Sequence, residues 1–107
     1  MTPYPTETGL PPTDAEGFLL KPQDWNEAWA QSLAAAQGLA PLDAGQMEIL
    51  HCLRELYLRA GGLPALPHVC HLAGRSPVCL NELFPSPLVA WRLAGLPNPG
   101  EEAKAYM

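Results

Sequence analysis

Between Leu42 and Ala60 the apolar residues recur at helical spacing. With Met47 at the origin and about 100° added per residue, Cys52, Leu56, Ile49, Leu53, Tyr57 and Leu50 fall between about 140° and about 300°. Glu48, His51, Arg54, Glu55 and Arg59 fill most of the other side. Met47 and Leu58 interrupt that polar side, so cover is expected on more than one flank. Asp43 is a good N-cap, and Gln46, three residues on, can reach back to it. Leu42 and Met47 are spaced as a hydrophobic staple. Gly61-Gly62 ends the helix. The pattern predicts a central helix with other segments packed around it.

The flanking segments are short. Residues 1–13 are rich in Pro and Thr, without apolar periodicity, and read as an irregular segment. Asp14-Ala15-Glu16-Gly17 reads as a turn. The apolar run Phe18–Leu20 could pair with Gly9–Pro11 as a small hairpin, its ladder limited by Pro11 and Pro12. Asp24 with Glu27 forms a second cap signature, opening a helix to about Gln37 that stops at Gly38. Its inner face is Trp25, Ala28, Trp29, Ser32, Leu33 and Ala36. After Pro64 and Pro67, His68–Ala73 reads as one or two turns closed by Gly74. Ser76-Pro77 and Ser86-Pro87 each place a cap before a first-turn proline. They predict helices to about Phe84 and over about Leu88–Ala94, the second ended by Gly95. Leu96–Pro99 must be extended, and 100–107 reads as a polar, mobile tail. The fold class is mainly α: a small orthogonal bundle of about five short helices around a central one. Residues 14–99 form the domain.

Composition narrows the function. Thirteen prolines cut the chain into short helices. The net charge is −5 and the six basic residues are scattered, so no stripe exists to neutralise phosphates. That argues against nucleic acid, including a helix-turn-helix reading. Three cysteines without a CxxC pair fit a reducing cytoplasm better than a disulfide scaffold. No basic stretch precedes an apolar run at the N-terminus, and no apolar run is long enough to span a membrane.

Candidate chemistry is thin. His68-Val69-Cys70-His71 sets two imidazoles beside a thiol, which could lower its pKa. The plainer reading is a buried cysteine beside surface histidines. Adding Cys79 gives a conceivable zinc set, but without the paired spacing such sites show. Cys52 lies on the inner face of the central helix and reads as core, and His51 reads as solvated. Trp25, Trp29 and Trp91 could form a ligand shelf but read more simply as core. Glu101-Glu102 sit in a tail too loose for acid–base work. No metal or cofactor is expected.

The order of motifs carries a resemblance. Gly17-Phe18-Leu19, Pro22, Asp24-Trp25-Asn26 and Leu33-Ala34 resemble the N-terminal half of the DsrC/TusE family. Glu48-Ile49, Leu53-Arg54 and Tyr57 are similar to its central helix. Leu83-Phe84-Pro85, Pro87 and Ala94-Gly95-Leu96-Pro97-Asn98-Pro99 are similar to its C-terminal signature. The resemblance implies a small cytoplasmic sulfur-relay protein, an orthogonal helical bundle with a small hairpin. It also implies a cysteine on a flexible C-terminal arm that carries persulfide or trisulfide sulfur. TusE-type members serve tRNA wobble-uridine thiolation, and DsrC-type members serve dissimilatory sulfite reductase.

The chain departs from that pattern where sulfur would be carried. Counting on from Pro99, the arm cysteine falls at Glu102, and the second cysteine of DsrC-type members at Trp91. An arginine expected after the central helix falls at Pro67. No cysteine follows Cys79. Two expectations result. The first is a binding or regulatory variant that docks on a relay sulfurtransferase or a sulfite-reductase-like complex through Trp91, Arg92, Gly95, Leu96, Pro97 and Pro99. The second is a sulfurtransferase whose carrier thiol has moved to Cys70 or Cys79, so whether the chain is an enzyme stays open.

Overall fold

The computed structural model describes residues 13–62 and 64–105. Six helices follow in chain order: α1 (Glu27–Ala36), α2 (Ala44–Ala60), α3 (Leu66–Leu72), α4 (Cys79–Leu83), α5 (Pro87–Leu93) and α6 (Glu101–Lys104). A 3-10 turn, Pro22–Asp24, precedes α1.

The central helix α2 forms as its caps dictate. The Asp43 carboxylate accepts from the Gln46 N–H at 2.8 Å, and the Gln46 side chain accepts from the Asp43 N–H at 2.9 Å. Gly61 takes φ 77° and its N–H donates to the Tyr57 carbonyl, closing the far end. Met47, Ile49, Leu50 and Leu53 are buried along it. Leu42 and Met47 both lie in the core, as the staple requires. Leu58 is exposed, so the second flank is covered at Met47 only.

Helix α2 packs against α3 and α5, α1 packs against α5, and α4 joins α3 to α5. Ala30 and Ala34 bring α1 close to the bundle with no exposed surface of their own. Each large side chain sealed in this core contributes about 1.5–3 kcal/mol. Gln31 fixes the α1–α2 connection. Its amide donates to the Leu42 carbonyl at 2.9 Å, and its oxygen accepts from the Leu42 N–H at 2.8 Å.

Several expectations are corrected. The cap of α1 is Asn26, whose side chain accepts from Trp29 N–H at 2.7 Å. Asp24 lies in the 3-10 turn instead. Helix α3 begins at Leu66 with Pro67 in its first turn, where a proline lacks no needed donor. Helix α4 begins at Cys79, not Pro77, and Ser76 donates to Glu82 at 3.1 Å rather than capping. Ser86 does cap α5, accepting from Val89 N–H at 3.2 Å. Of the expected hairpin, the described residues show one antiparallel bridge, Thr13 with Leu19. Its expected partner strand, Gly9–Pro11, lies outside the described residues.

Residues Glu101–Lys104 form α6, and Lys104 reaches Glu16 at 2.5 Å and Glu101 at 3.1 Å. Among the described residues no helix is long and apolar enough to cross a membrane.

Candidate docking site

The candidate site is α5 and the segment that leaves it. Pro87 and the Ser86 cap start α5, and its inner side buries Ala90, Trp91 and Leu93. Gly95 turns the chain with φ 72°. The turn presses against Trp25, whose ring a Cβ at position 95 would hit. Trp25 is held there by its indole N–H, which donates to the Leu93 carbonyl at 2.8 Å.

Arg54 fastens the same corner. Its guanidinium donates to the Ala94 carbonyl at 3.0 Å and to the Pro22 carbonyl at 2.9 Å, and lies 4.6 Å from the Trp25 ring centroid. Burial pulls its pKa below the ordinary arginine value. Reading α2 by periodicity placed Arg54 on a polar face and missed this role. Nothing local signals it, since both acceptors lie more than thirty residues away.

Beyond the turn, the Trp91 indole donates to the Pro97 carbonyl at 2.7 Å, and Tyr57 meets the Trp91 ring edge-on at 5.6 Å. These residues with Asn98, Pro99 and Gly62 line a cleft of about 170 Å³. Arg92 leaves the other side and stacks 5.0 Å from the Phe18 ring centroid, its Nε buried with no hydrogen-bond partner among the described residues. The six expected docking residues therefore divide. Trp91, Gly95 and Leu96 are buried and shape the surface; Arg92, Pro97 and Pro99 are half-exposed and can touch a partner.

The turn at 14–18 closes over this region. Asp14 accepts from the Glu16 and Phe18 N–H groups at 2.8 and 3.0 Å. Burial pushes its carboxyl up, but those hydrogen bonds and the Asn98 amide outweigh it and hold the pKa low. Glu16 is lowered chiefly by the Lys104 ammonium, and Lys104 is raised chiefly by Glu16, with Glu101 adding to it.

Cys70 and Cys79 are joined by a disulfide, and neither is appreciably exposed. The expected free, reduced pair is thereby corrected: α3 and α4 bring the two sulfurs together in the core. The zinc set of His68, Cys70, His71 and Cys79 does not form, since both sulfurs are spent on each other. The His68 and His71 rings stack at 6.4 Å on the surface. Cys52 is free and half-buried, its pKa raised by burial and by Glu48 and Glu55. His51 is exposed and pairs with Glu27 at 2.7 Å. Trp29 and Trp91 are core, and Trp25 is partly so.

The comparisons agree with this architecture. Residues 8–101 match the family model described as DsrC like protein. The chain belongs to the DsrC family. It is 30% identical over 88 residues to the dissimilatory-type sulfite reductase gamma subunit of Nitratidesulfovibrio vulgaris, covering 80% of this chain and 84% of that one. It is 32% identical over 96 residues to the sulfurtransferase TusE of Salmonella typhimurium, covering 81% and 87%. A crystal structure of dissimilatory sulfite reductase I, DsrI, includes a chain that superposes with TM-score 0.74 at 28% identity, covering 84% and 88%. The oxidized DsrC of Archaeoglobus fulgidus superposes with TM-score 0.69 at 24% identity, covering 84% and 90%, which shows the shared fold.

Proposed function

We propose that this DsrC family member is a non-catalytic binding or regulatory variant that docks on sulfur-trafficking partners. The relatives named as a sulfite reductase subunit and as a sulfurtransferase indicate the partner class: a relay sulfurtransferase or a sulfite-reductase-like complex. A cytoplasmic location goes with this reading. The observation that carries it is the C-terminal segment. Where the family resemblance places the carrier cysteine, the chain has Glu102, and the segment around it is tied to the body through Lys104 and Glu16. A carboxylate cannot hold sulfane sulfur. The body keeps what a docking protein needs, a rigid corner of Arg54, Trp25 and Gly95 that presents Arg92, Pro97 and Pro99. The burial and pairing of Cys70 and Cys79 speak against a relocated carrier at either.

Two measurements test the reading. Immobilised chain is challenged with a relay sulfurtransferase complex and with a dissimilatory sulfite reductase, each with and without an excess of a TusE-type competitor. Retention of one complex, reduced by the competitor and by a Pro97→Ala/Pro99→Ala variant, is expected. Retention of neither overturns docking. Mass spectrometry after incubation with a persulfide donor is expected to leave all three cysteines unmodified. A gain of about one sulfur atom on any of them overturns the non-catalytic assignment.

A further inference from the structure

The Cys70–Cys79 bond closes a loop that borders two grooves. Cys70 lies in α3 and Cys79 opens α4, nine positions apart. Every residue from 71 to 78 except Ala73 is exposed. Leu72 and Val78, two large apolar side chains more than half exposed, stand on this loop. Its hydrogen bonds are local: Ala73 N–H to the Val69 carbonyl, Gly74 N–H to His71, Arg75 N–H to the Cys70 carbonyl, Cys79 N–H to Ser76, the Ser76 hydroxyl to Glu82, and the Asn81 and Glu82 N–H groups to the Val78 carbonyl.

Arg75 lies directly over Gly45, where a Cβ would collide with its guanidinium. It thereby walls a groove of about 750 Å³ whose far rim is Glu48 and His51. Pro77, Val78 and Leu80, with Leu66, Pro67 and Pro87, line a second groove of about 290 Å³. Residues of the loop thus line both grooves.

We propose that Cys70–Cys79 is a thiol–disulfide switch that sets the conformation of the 71–78 loop and, through it, the shape of these two grooves. In the reducing direction, a thiolate of a dithiol reductant attacks one sulfur. The other sulfur leaves as a thiolate and takes a proton. The second reductant thiol resolves the mixed disulfide, so the reductant becomes a disulfide and the protein gains two thiols. In the oxidising direction a low-molecular-weight disulfide accepts the two electrons and departs as two thiols. Both sulfurs are buried, so exchange passes through opening of this exposed, locally bonded loop and is slow, on the minutes-to-hours scale. The consequence for docking rests on the function proposed above; the switch itself is read on the chain alone.

The test uses the full chain, with no partner. It is equilibrated across ratios of reduced to oxidised glutathione, alkylated and weighed, while tryptic cleavage after Arg75 and after Arg54 is followed. The expected result is two populations, one labelled at Cys52 alone and one at all three cysteines, interconverting with the buffer. Cleavage after Arg75 is expected to accelerate in the reduced population about tenfold more than cleavage after Arg54 in the central helix, which follows the global loss of stability alone. A Cys70→Ser/Cys79→Ser variant is expected to show the fast Arg75 rate in every buffer. Three labels at every ratio would overturn the proposal, as would equal Arg75 cleavage in both states. Parallel acceleration at Arg54 would make the bond a global staple and overturn the switch. Partner capture failing while the Arg75 difference persists would remove the docking reading and leave the switch standing.

Discussion

Gly95 and Trp25 occupy one another's space: the indole ring lies where a side chain at position 95 would begin. The ring is fixed from two further directions, by the Leu93 carbonyl and by the Arg54 guanidinium. It therefore has nowhere to retreat. Gly95 also holds φ 72°, which L side chains rarely adopt. Gly95→Ala is expected to lose about 2–4 kcal/mol, combining overpacking with backbone strain. Urea denaturation of the two proteins measures it. A loss no larger than that of Gly38→Ala, a left-handed position with open space around it, would show that the close approach is not tight.

Arg54 closes two carbonyls that no other side chain of the described residues reaches, those of Ala94 and Pro22. A lysine offers a point charge on a shorter head and cannot bridge both while lying flat on an indole. Arg54→Lys is expected to cost about 1–3 kcal/mol, since hydrogen bonds to charged groups contribute about that much. Arg59→Lys, in an exposed pair with Glu55, is expected to change stability by under about 0.5 kcal/mol. Thermal melts of both variants decide it, and similar melting points would remove Arg54 from the corner.

How far the fold could be read depends on how local its causes are. The central helix was legible because Asp43, Gln46 and Gly61 act within one turn of themselves. Ser86 before Pro87 was legible for the same reason. The cap of α1 was not, because Asp24 and Asn26 are both competent caps. The choice between them is made by Trp25, whose ring must reach Leu93 and Arg54. The bond between Cys70 and Cys79 depends on how α3 meets α4, which no spacing rule states. The pattern grouped the six expected docking residues without showing that Trp91, Gly95 and Leu96 are buried while Arg92, Pro97 and Pro99 are partly exposed. The tie from Lys104 to Glu16 joins the two ends of the domain and leaves no mark in either local sequence.

The disulfide has a thermodynamic consequence separate from any switching. Its closed loop is short, and constraining such a loop in the unfolded chain contributes about 2–3 kcal/mol. Cys70→Ser/Cys79→Ser is therefore expected to melt about 10 °C or more below the oxidised wild type. Wild type melted with excess dithiol reductant is expected to fall with it. If reductant leaves the melting curve in place and alkylation finds all thiols already free, the bond does not form in solution.

The pair of Lys104 and Glu16 gives the C-terminal segment a defined pH window. Glu16 is lowered by the Lys104 ammonium, so the attachment is complete above the ordinary glutamate range and is lost as pH falls through the depressed folded value. Lys104 is raised by Glu16 and Glu101, so its share is complete below the ordinary lysine range and is lost as pH rises through the elevated folded value. Around neutrality both hold. The Glu16 side of the pair is open to solvent, so added salt also loosens it. Tryptic cleavage after Lys104 follows the attachment directly near neutral pH: it is expected to quicken with salt and in Glu16→Gln, with α2 unaffected. For Lys104→Glu alone, amide exchange over residues 100–105 is expected to accelerate, and Glu16→Lys in the same chain is expected to restore protection by re-forming the pair in reverse. Protection in Lys104→Glu equal to wild type would show that Asn98 and the turn at 14–18 hold the segment without the ion pair.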